Sequence, residues 1–86
     1  MWYVYILKSI KDSSKTYIGA TENVERRLAE HNLSTQPNTK RYSPWRVETY
    51  IAFSDKHKAF EFERYLKVGS GKAFLNKRLI GNSDIQ

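Results

Sequence analysis

Two short apolar runs near the N-terminus constrain the fold of this chain most. Residues 2–7 read WYVYIL and residues 16–20 read TYIGA, and both are rich in the aromatic and β-branched residues that favour strands. The segment between them, residues 8–15, is polar and reads as a turn. The pattern therefore predicts an antiparallel β-hairpin against which the rest of the chain must pack.

The alternation of side chains along these strands indicates which residues share a face. The residues expected to face the core are Val4, Ile6 and Ile18. Tyr5 and Tyr17 are then expected to project together from the opposite face. Gly19 would leave an open spot beside them, which a backbone or a ligand could approach closely. Simple packing of the sheet is the alternative role for both tyrosines.

The rest of the chain reads as one strand and three helices. The first helix is expected from a Thr21 or Asn23 cap to about residue 31, and residues 32–44 are expected to form a loop. A third strand is expected over residues 47–53, with residues 47, 49, 51 and 53 on one face. The next helix is expected to be capped by Ser54 or Asp55 and to extend to about residue 68. A break is expected at residues 69–71, followed by a last helix over residues 72–80. The predicted order of elements is therefore ββαβαα. This order predicts an α/β fold, a small and mainly antiparallel three-stranded sheet flanked by helices, with one domain over residues 1–81 and a frayed tail over residues 82–86.

Charge and composition narrow the classes of function. The 86 residues carry a net charge of +6, which favours polyanionic partners and nucleic acid first, although a solvated basic surface is the alternative. The absence of cysteine excludes disulfides, thiolate zinc sites and a cysteine nucleophile. No apolar run is long enough to span a bilayer, and the N-terminus has no basic leader, so we expect no membrane association and a cytoplasmic location.

Helical phase places two charged residues at the border of a buried face. Arg27 lies beside the stripe expected for the first helix, where its stem could pack and its guanidinium stay free. Glu63 lies at the edge of the apolar face of the second helix, whereas Glu61 points away and reads as a surface acid. A carboxylate at the edge of a core usually has a partner, and an arginine and a divalent metal are the two candidates.

These segments together resemble the GIY-YIG nuclease superfamily. The resemblance is carried by residues 3–5 (YVY), 17–19 (YIG), 25–31 (ERRLAEH) and 59–63 (AFEFE). It covers nearly the whole chain, and it is closest to small stand-alone members related to the amino-terminal domain of the excinuclease C protein. Tyr3 replaces the first glycine of the family name, and Ala20 replaces a lysine that often follows the second motif.

The resemblance implies a DNA endonuclease that uses one divalent ion, Mg²⁺ or Mn²⁺. The catalytic residues that it implies are Tyr5, Tyr17, Arg27, His31 and Glu63. Glu63 is implied as the metal ligand, Gly19 as part of the substrate site, and Asn76 is the nearest candidate for a late positioning asparagine. Phosphodiester hydrolysis needs a base for the attacking water and positive charge to stabilise the developing oxyanion, and a metal ion suits both the oxyanion and the leaving oxygen. We favour Tyr5 over Tyr17 as the base.

Several basic residues are candidates for contact with DNA. They are Lys40, Arg41, Arg46 and Lys72. The first three lie in a segment with Tyr42 and Trp45, which suits backbone tracking with base stacking, or else a surface loop anchored by Trp45. Residues 69–72 (GSGK) lack the spacing of a phosphate-binding loop, and the two histidines lack the spacing of zinc ligands.

The expected function is therefore a metal-dependent DNA endonuclease acting in DNA repair or recombination, with a protein partner that could supply targeting. The alternative is a non-catalytic nucleic-acid-binding module or an interaction domain on the same fold.

Overall fold

A computed structural model describes residues 1–33 and 37–80 of the chain. Its strands form one antiparallel sheet in the order β2-β1-β3, with the bounds β1 Trp2–Ser9, β2 Thr16–Thr21 and β3 Trp45–Phe53. The helices are α1 Val24–Asn32, α2 Pro37–Lys40, α3 Lys56–Tyr65 and α4 Gly69–Phe74, followed by a π-helical turn, Leu75–Leu79. The α/β class and the order of the main elements are confirmed, while the expected tail, residues 82–86, lies outside the described residues.

The central strand, β1, carries a hydrophobic cluster on each of its faces. On one face Val4 and Ile6 pack against the C-terminal helices, with Ala59, Leu66 and Leu75 as the other buried members. On the other face Tyr5 and Leu7 pack with Trp45 and with half-buried side chains of β2, α1 and β3. This split matches the expected alternation along β1, and it places Tyr5 on the face that α1 covers.

Side-chain caps determine where the two main helices begin. The Asn23 carboxamide oxygen accepts a hydrogen bond from the backbone N–H of Arg26 at 3.0 Å. The Asp55 carboxylate accepts one from the N–H of His57 at 2.8 Å. Each cap satisfies a backbone donor that the first helical turn leaves without a partner, so of the expected capping candidates Asn23 and Asp55 do the capping.

The third strand contains an irregularity that the alternation of its residues hides. Ile6 pairs with Thr49 but Leu7 pairs with Val47, so Glu48 is an extra residue in β3. A bulge of this kind reverses the facing of the residues beyond it. The prediction that residues 47, 49, 51 and 53 share one face is therefore wrong, because Val47 packs with Tyr5 and Leu7, whereas Phe53 packs on the other face.

Some element bounds also differ from those expected. The segment expected to be a loop, residues 32–44, contains α2, and the strand after it begins two residues early, at Trp45. The helix α3 ends at Tyr65 rather than near residue 68, and α4 begins at Gly69 rather than residue 72. Gly69 adopts a left-handed φ of 54°, which glycine accepts without steric cost, so the residues expected to break the helix instead start one. Within the described ranges, no helix is long and apolar enough to cross a membrane.

Candidate active site

Two tyrosines of the hairpin meet a histidine of α1 on one face of the sheet. Tyr5 is only 1% exposed, and its hydroxyl lies 3.3 Å from Nε2 of His31. Tyr17 lies on the same face, with its ring centroid 6.2 Å from that of Tyr5 and 4.6 Å from that of His31. The prediction that Tyr5 and Tyr17 share a face is therefore confirmed, and His31, which the resemblance implies as catalytic, joins them.

Gly19 makes room for the hydroxyl of Tyr5. The two residues are direct partners across β1 and β2, and a Cβ atom on Gly19 would lie 2.5 Å from that hydroxyl. A contact this short forces something to move, so only glycine fits opposite Tyr5. The expectation of an open spot beside the tyrosines is wrong, because the space above Gly19 is already filled by Tyr5.

Arg27 extends from α1 to the same tyrosine. Its guanidinium forms an ion pair with Glu30 at 2.8 Å, and its interaction with the Tyr5 hydroxyl is the main reason why the pKa of Arg27 is raised. The expected border position holds, since the side chain is 28% exposed. The guanidinium is not free as expected, because Glu30 and Tyr5 both hold it.

The second ring nitrogen of His31 meets a residue that the sequence patterns did not identify. His31 is fully buried, and its Nδ1 lies 3.0 Å from Oγ1 of Thr39, which is 2% exposed. The carbonyl of Thr39 accepts a hydrogen bond from the indole N–H of Trp45 at 2.8 Å, which holds α2 against the start of β3. Thr39 lies in a polar segment that reads as a surface loop, and no local pattern marks its burial.

Burial shifts the pKa values of Tyr5 and His31 so that both side chains favour their uncharged forms. Burial raises the pKa of Tyr5, and the guanidinium of Arg27 opposes that rise. Burial also lowers the pKa of His31, and the positive charge of Arg27 adds to the effect. Both groups are therefore uncharged near neutral pH, and their contact is a neutral hydrogen bond rather than an ion pair.

Glu63 lies in α3, on the side of the sheet opposite to Tyr5, and its charge still affects the pKa of Tyr5. Its negative charge contributes to the raised pKa of Tyr5. Its side chain is 17% exposed and pairs with Lys67, one helical turn on, at 2.5 Å. The side-chain partner is therefore a lysine where an arginine was expected, and the spacing of four residues could have indicated it. The role of Glu63 as a metal ligand stays a prediction. Glu61 is exposed and pairs with Lys58, as its outward phase suggests.

The donor set around Glu63 suits one hard cation. Within residues 1–33 and 37–80 there is no group of three His, Cys, Asp or Glu side chains that could enclose a metal ion. A single carboxylate fits Mg²⁺ or Mn²⁺ only where the ion keeps most of its waters. The carboxylate of Glu63 is accessible enough for this, and it already attracts the ammonium group of Lys67.

A cavity of about 300 Å³ opens next to Tyr17, between β2 and the C-terminal helices. Its polar lining includes Tyr17, Lys67, Lys72 and Asn76. Two lysines beside a tyrosine suit a phosphate of an extended backbone. Of the basic residues expected to contact DNA, Lys72 therefore lies beside the tyrosine site.

The other expected DNA contacts lie along the segment from α2 to β3. Lys40 and Arg41 are exposed, and the Arg41 guanidinium lies 5.4 Å from the centre of the Tyr42 ring. Arg46 pairs with Glu48 at 2.6 Å. Trp45 is only 4% exposed, so it anchors the segment and cannot stack on a base. Of the two interpretations of this segment, the anchored loop is confirmed for Trp45.

Comparison with known proteins is consistent with this arrangement. The family model of the GIY-YIG catalytic domain matches residues 1–78, a range that contains both tyrosines, the α1 residues and Glu63. The chain therefore belongs to the GIY-YIG family.

Relatives of the chain include subunits of structure-specific endonucleases. It is 38% identical over 65 residues to the structure-specific endonuclease subunit slx1 of Talaromyces marneffei, which covers 69% of this chain and 17% of that protein. The corresponding subunit of Candida dubliniensis is 37% identical over 71 residues, 74% of this chain and 25% of that protein. The uncharacterized protein L300 of Acanthamoeba polyphaga mimivirus is 34% identical over 87 residues, 94% of this chain and 51% of that protein. The chain thus spans at most about half the length of these relatives.

Proposed function

We propose that this chain is a DNA endonuclease domain that hydrolyses phosphodiester bonds with the help of one divalent ion. The observation that carries the proposal is the buried contact of Tyr5 with His31, held by Arg27 and within reach of the charge of Glu63. A structural tyrosine has no need of an uncharged histidine, an arginine and a distant carboxylate all acting on one hydroxyl. Acid–base chemistry at that hydroxyl does need them.

The proposed reaction begins with Tyr5 acting as the base. As water attacks phosphorus, one proton of the water passes to the Tyr5 oxygen, and the proton of Tyr5 passes to Nε2 of His31. A P–O bond forms to the water oxygen, and the P–O bond to the leaving oxygen breaks; the leaving oxygen takes a proton from solvent. Arg27, whose charge acts on the Tyr5 hydroxyl, would donate hydrogen bonds to the phosphoryl oxygens.

Glu63 is the proposed ligand for the ion, Mg²⁺ or Mn²⁺. A bound divalent cation supplies positive charge that stabilises the developing oxyanion and the leaving oxygen. An ion bound at Glu63 would displace Lys67 from the carboxylate, because the ammonium group of Lys67 and the metal ion would bind the same oxygens. That ammonium group then becomes available to the cavity that Lys67 shares with Lys72.

The proposed substrate is DNA, because the net charge is +6 and two lysines line the cavity beside Tyr17. The relatives named as subunits of structure-specific endonucleases support branched or flapped DNA as the first substrates to test. Their description as subunits also supports a protein partner that supplies targeting. A role in DNA repair or recombination and a cytoplasmic location stay predictions.

Cleavage tests the proposal directly. Supercoiled plasmid, duplex, flapped and branched DNA are incubated with the protein and Mg²⁺ or Mn²⁺, with a chelator as the blank. We expect cleavage that requires the ion and that Glu63→Gln abolishes, because this nearly isosteric change removes only the charged ligand. DNA affinity of Glu63→Gln should equal or exceed that of the wild type, since lysines and arginines make the phosphate contacts.

Two control variants separate the metal ligand from the ion pair. Lys67→Met breaks the same ion pair but keeps the carboxylate, and it should still cut at saturating DNA. Glu61→Gln, on the outward face of α3, should cut at the wild-type rate. Wild-type cleavage by Glu63→Gln would show that Glu63 is not the ligand. A folded wild-type protein that binds DNA and cuts none of the four substrates would leave the binding-module function in its place.

A further inference from the structure

A chain of buried hydrogen bonds runs from α1 through the hairpin to α2. The guanidinium of Arg27 acts on the Tyr5 hydroxyl, this hydroxyl contacts Nε2 of His31 at 3.3 Å, and Nδ1 of His31 contacts Oγ1 of Thr39 at 3.0 Å. The side chains of Tyr5, His31 and Thr39 are at most 2% exposed. These three buried polar groups therefore satisfy their hydrogen bonding largely within the protein.

The direction of each hydrogen bond follows from the donors that are present. A guanidinium carries only donors and a positive charge, so the Tyr5 oxygen turns its lone pairs towards Arg27, and the hydroxyl proton of Tyr5 is left to point at His31. Nε2 of His31 must then be the acceptor. Since His31 is uncharged, its one ring proton lies on Nδ1, and it is donated to Oγ1 of Thr39.

We propose that Thr39 is a positioning residue for phosphodiester cleavage, whose hydroxyl oxygen accepts the Nδ1 proton of His31 and so keeps Nε2 free to take the proton of Tyr5. The hydrogen bond made by one ring nitrogen sets which tautomer the other nitrogen presents. Without an acceptor at Nδ1, the ring proton can move to Nε2, where it would block the transfer from Tyr5. The catalytic part of this inference rests on the proposed function.

The fold holds Thr39 at this place by contacts other than its hydroxyl. The indole N–H of Trp45 donates to the Thr39 carbonyl at 2.8 Å, and the side chain of Asn32 donates to the Trp45 carbonyl at 3.0 Å. The first bond thus fastens the backbone of α2 to β3, and the second fastens β3 to α1. A substitution that removes only the hydroxyl of Thr39 therefore leaves the position of α2 intact.

Nitrogen-15 NMR of the histidine rings tests the tautomer without any cleavage. The chain has two histidines, and His57 is exposed, so it serves as an internal reference for a solvated ring. In the wild type we expect the proton of the His31 ring on Nδ1. In Thr39→Val, which is nearly isosteric, we expect a measurable shift of population towards the Nε2-protonated form, and Thr39→Ser should restore the wild-type spectrum.

Cleavage kinetics test the consequence for the reaction. Thr39→Val should lower kcat by about 10- to 100-fold, the usual effect of losing a residue that orients a catalytic group, while KM for DNA stays within about twofold because Thr39 does not touch the substrate. Thr39→Ser should recover kcat. The matched control is Thr49→Val, which removes the hydroxyl that donates to the Leu79 carbonyl on the opposite side of the sheet, and it should keep the wild-type kcat.

Each outcome decides between the positioning role and a structural one. A wild-type His31 ring protonated on Nε2 would overturn the inference before any variant is made, and so would a Thr39→Val enzyme with the wild-type kcat. Equal loss of kcat in Thr39→Val and Thr49→Val would show a general loss of stability instead. If the wild type cuts nothing, the proposed function fails, and the ring spectra still decide whether Thr39 sets the tautomer.

Discussion

Burial and two neighbouring side chains each act on the Tyr5 hydroxyl in a different way. Burial raises its pKa and keeps its proton in place, while the charge of Arg27 lowers the pKa and stabilises the phenolate. His31 offers the nitrogen that can take the proton. Because burial and Arg27 have opposite effects, a change in the charge near Arg27 would change the pKa of Tyr5.

The buried histidine makes the stability of the fold depend on pH. Burial and Arg27 lower the pKa of His31 below its ordinary value of 6.5, and Glu30 opposes them; the pKa of the neighbouring Tyr5 is raised, so Tyr5 stays uncharged at these pH values. Between the lowered pKa of folded His31 and 6.5, the unfolded chain binds the proton and the folded chain does not. The free energy of unfolding is therefore highest above this window and falls as the pH is lowered through it, by at most about 1.4 kcal/mol per pH unit for one proton.

Urea denaturation at a series of pH values from about 7 to about 5 measures this slope. His31→Gln keeps a polar side chain but does not titrate, and it should flatten the slope. Asp12, whose pKa is lowered from 3.8 by hydrogen bonds from Ser14, titrates at lower pH and does not contribute in this range. A wild-type slope that equals the slope of His31→Gln contradicts the lowered pKa of His31.

The residue patterns identified the tyrosines and the charged helix residues, but not their partners. Tyr5 and Tyr17 share a face because strand alternation is a local property that any hairpin obeys. Thr39 has no such signal, because its burial depends on the Trp45 indole, six residues later in the chain. The ion pair of Lys67 with Glu63 is predictable from their spacing of four residues alone. The partners expected for that carboxylate, an arginine or a metal, do not include this lysine.

At the scale of elements, the junction of α3 and α4 depends on a glycine. A Cβ on Gly71 would lie 1.7 Å from the carbonyl oxygen of Tyr65, a backbone atom at the end of α3. Backbone cannot move aside as a side chain can, so α4 must shift away from α3 to accept a Cβ. Lys72, the next residue, moves with it, and the cavity beside Tyr17 changes shape.

We therefore expect Gly71→Ala to lower the free energy of unfolding by about 3 kcal/mol, at the upper end of the usual cost of overpacking. The matched control is Gly69→Ala. Its Cβ would meet nothing within 4 Å, so its cost of about 1 kcal/mol comes only from its left-handed φ of 54°. Urea denaturation of both variants measures the difference, and equal losses would mean that α3 and α4 do not pack as described.

Elements with local signals were predictable, and those set by packing were not. The caps Asn23 and Asp55 precede apolar periodicity, which is a signal in the sequence itself. The extra residue at Glu48 has no such signal, because a bulge depends on the pairing of β3 with β1. The start of α4 at Gly69 also depends on packing. Two closely spaced glycines predict a break in a helix, whereas in the structure Gly71 allows α4 to approach Tyr65 closely.

The whole molecule is a thin slab with two broad faces. It measures 33 × 31 × 18 Å, so the sheet has a single layer of helices on each side. The Tyr5 cluster lies on one side and α3 on the other, and Glu63 and Lys67 lie on the α3 side. The cavity formed by β2 and α4 at the edge of the slab is where groups from both sides meet. We therefore expect the DNA backbone to run along this edge.

Salt dependence of DNA binding tests this placement. Each phosphate that a lysine or arginine neutralises releases a counterion, so the logarithm of the binding constant falls linearly with the logarithm of salt concentration. Lys72→Gln, at the cavity, should reduce the slope by about 1 and weaken binding to all sequences alike. Lys58→Gln, in an exposed pair with Glu61 away from the cavity, carries the same loss of charge and should leave the slope unchanged. Fluorescence anisotropy titrations at several salt concentrations give both slopes. A flat response of the wild type would exclude electrostatic binding of DNA, and equal slopes for the two variants would place the DNA elsewhere on the molecule.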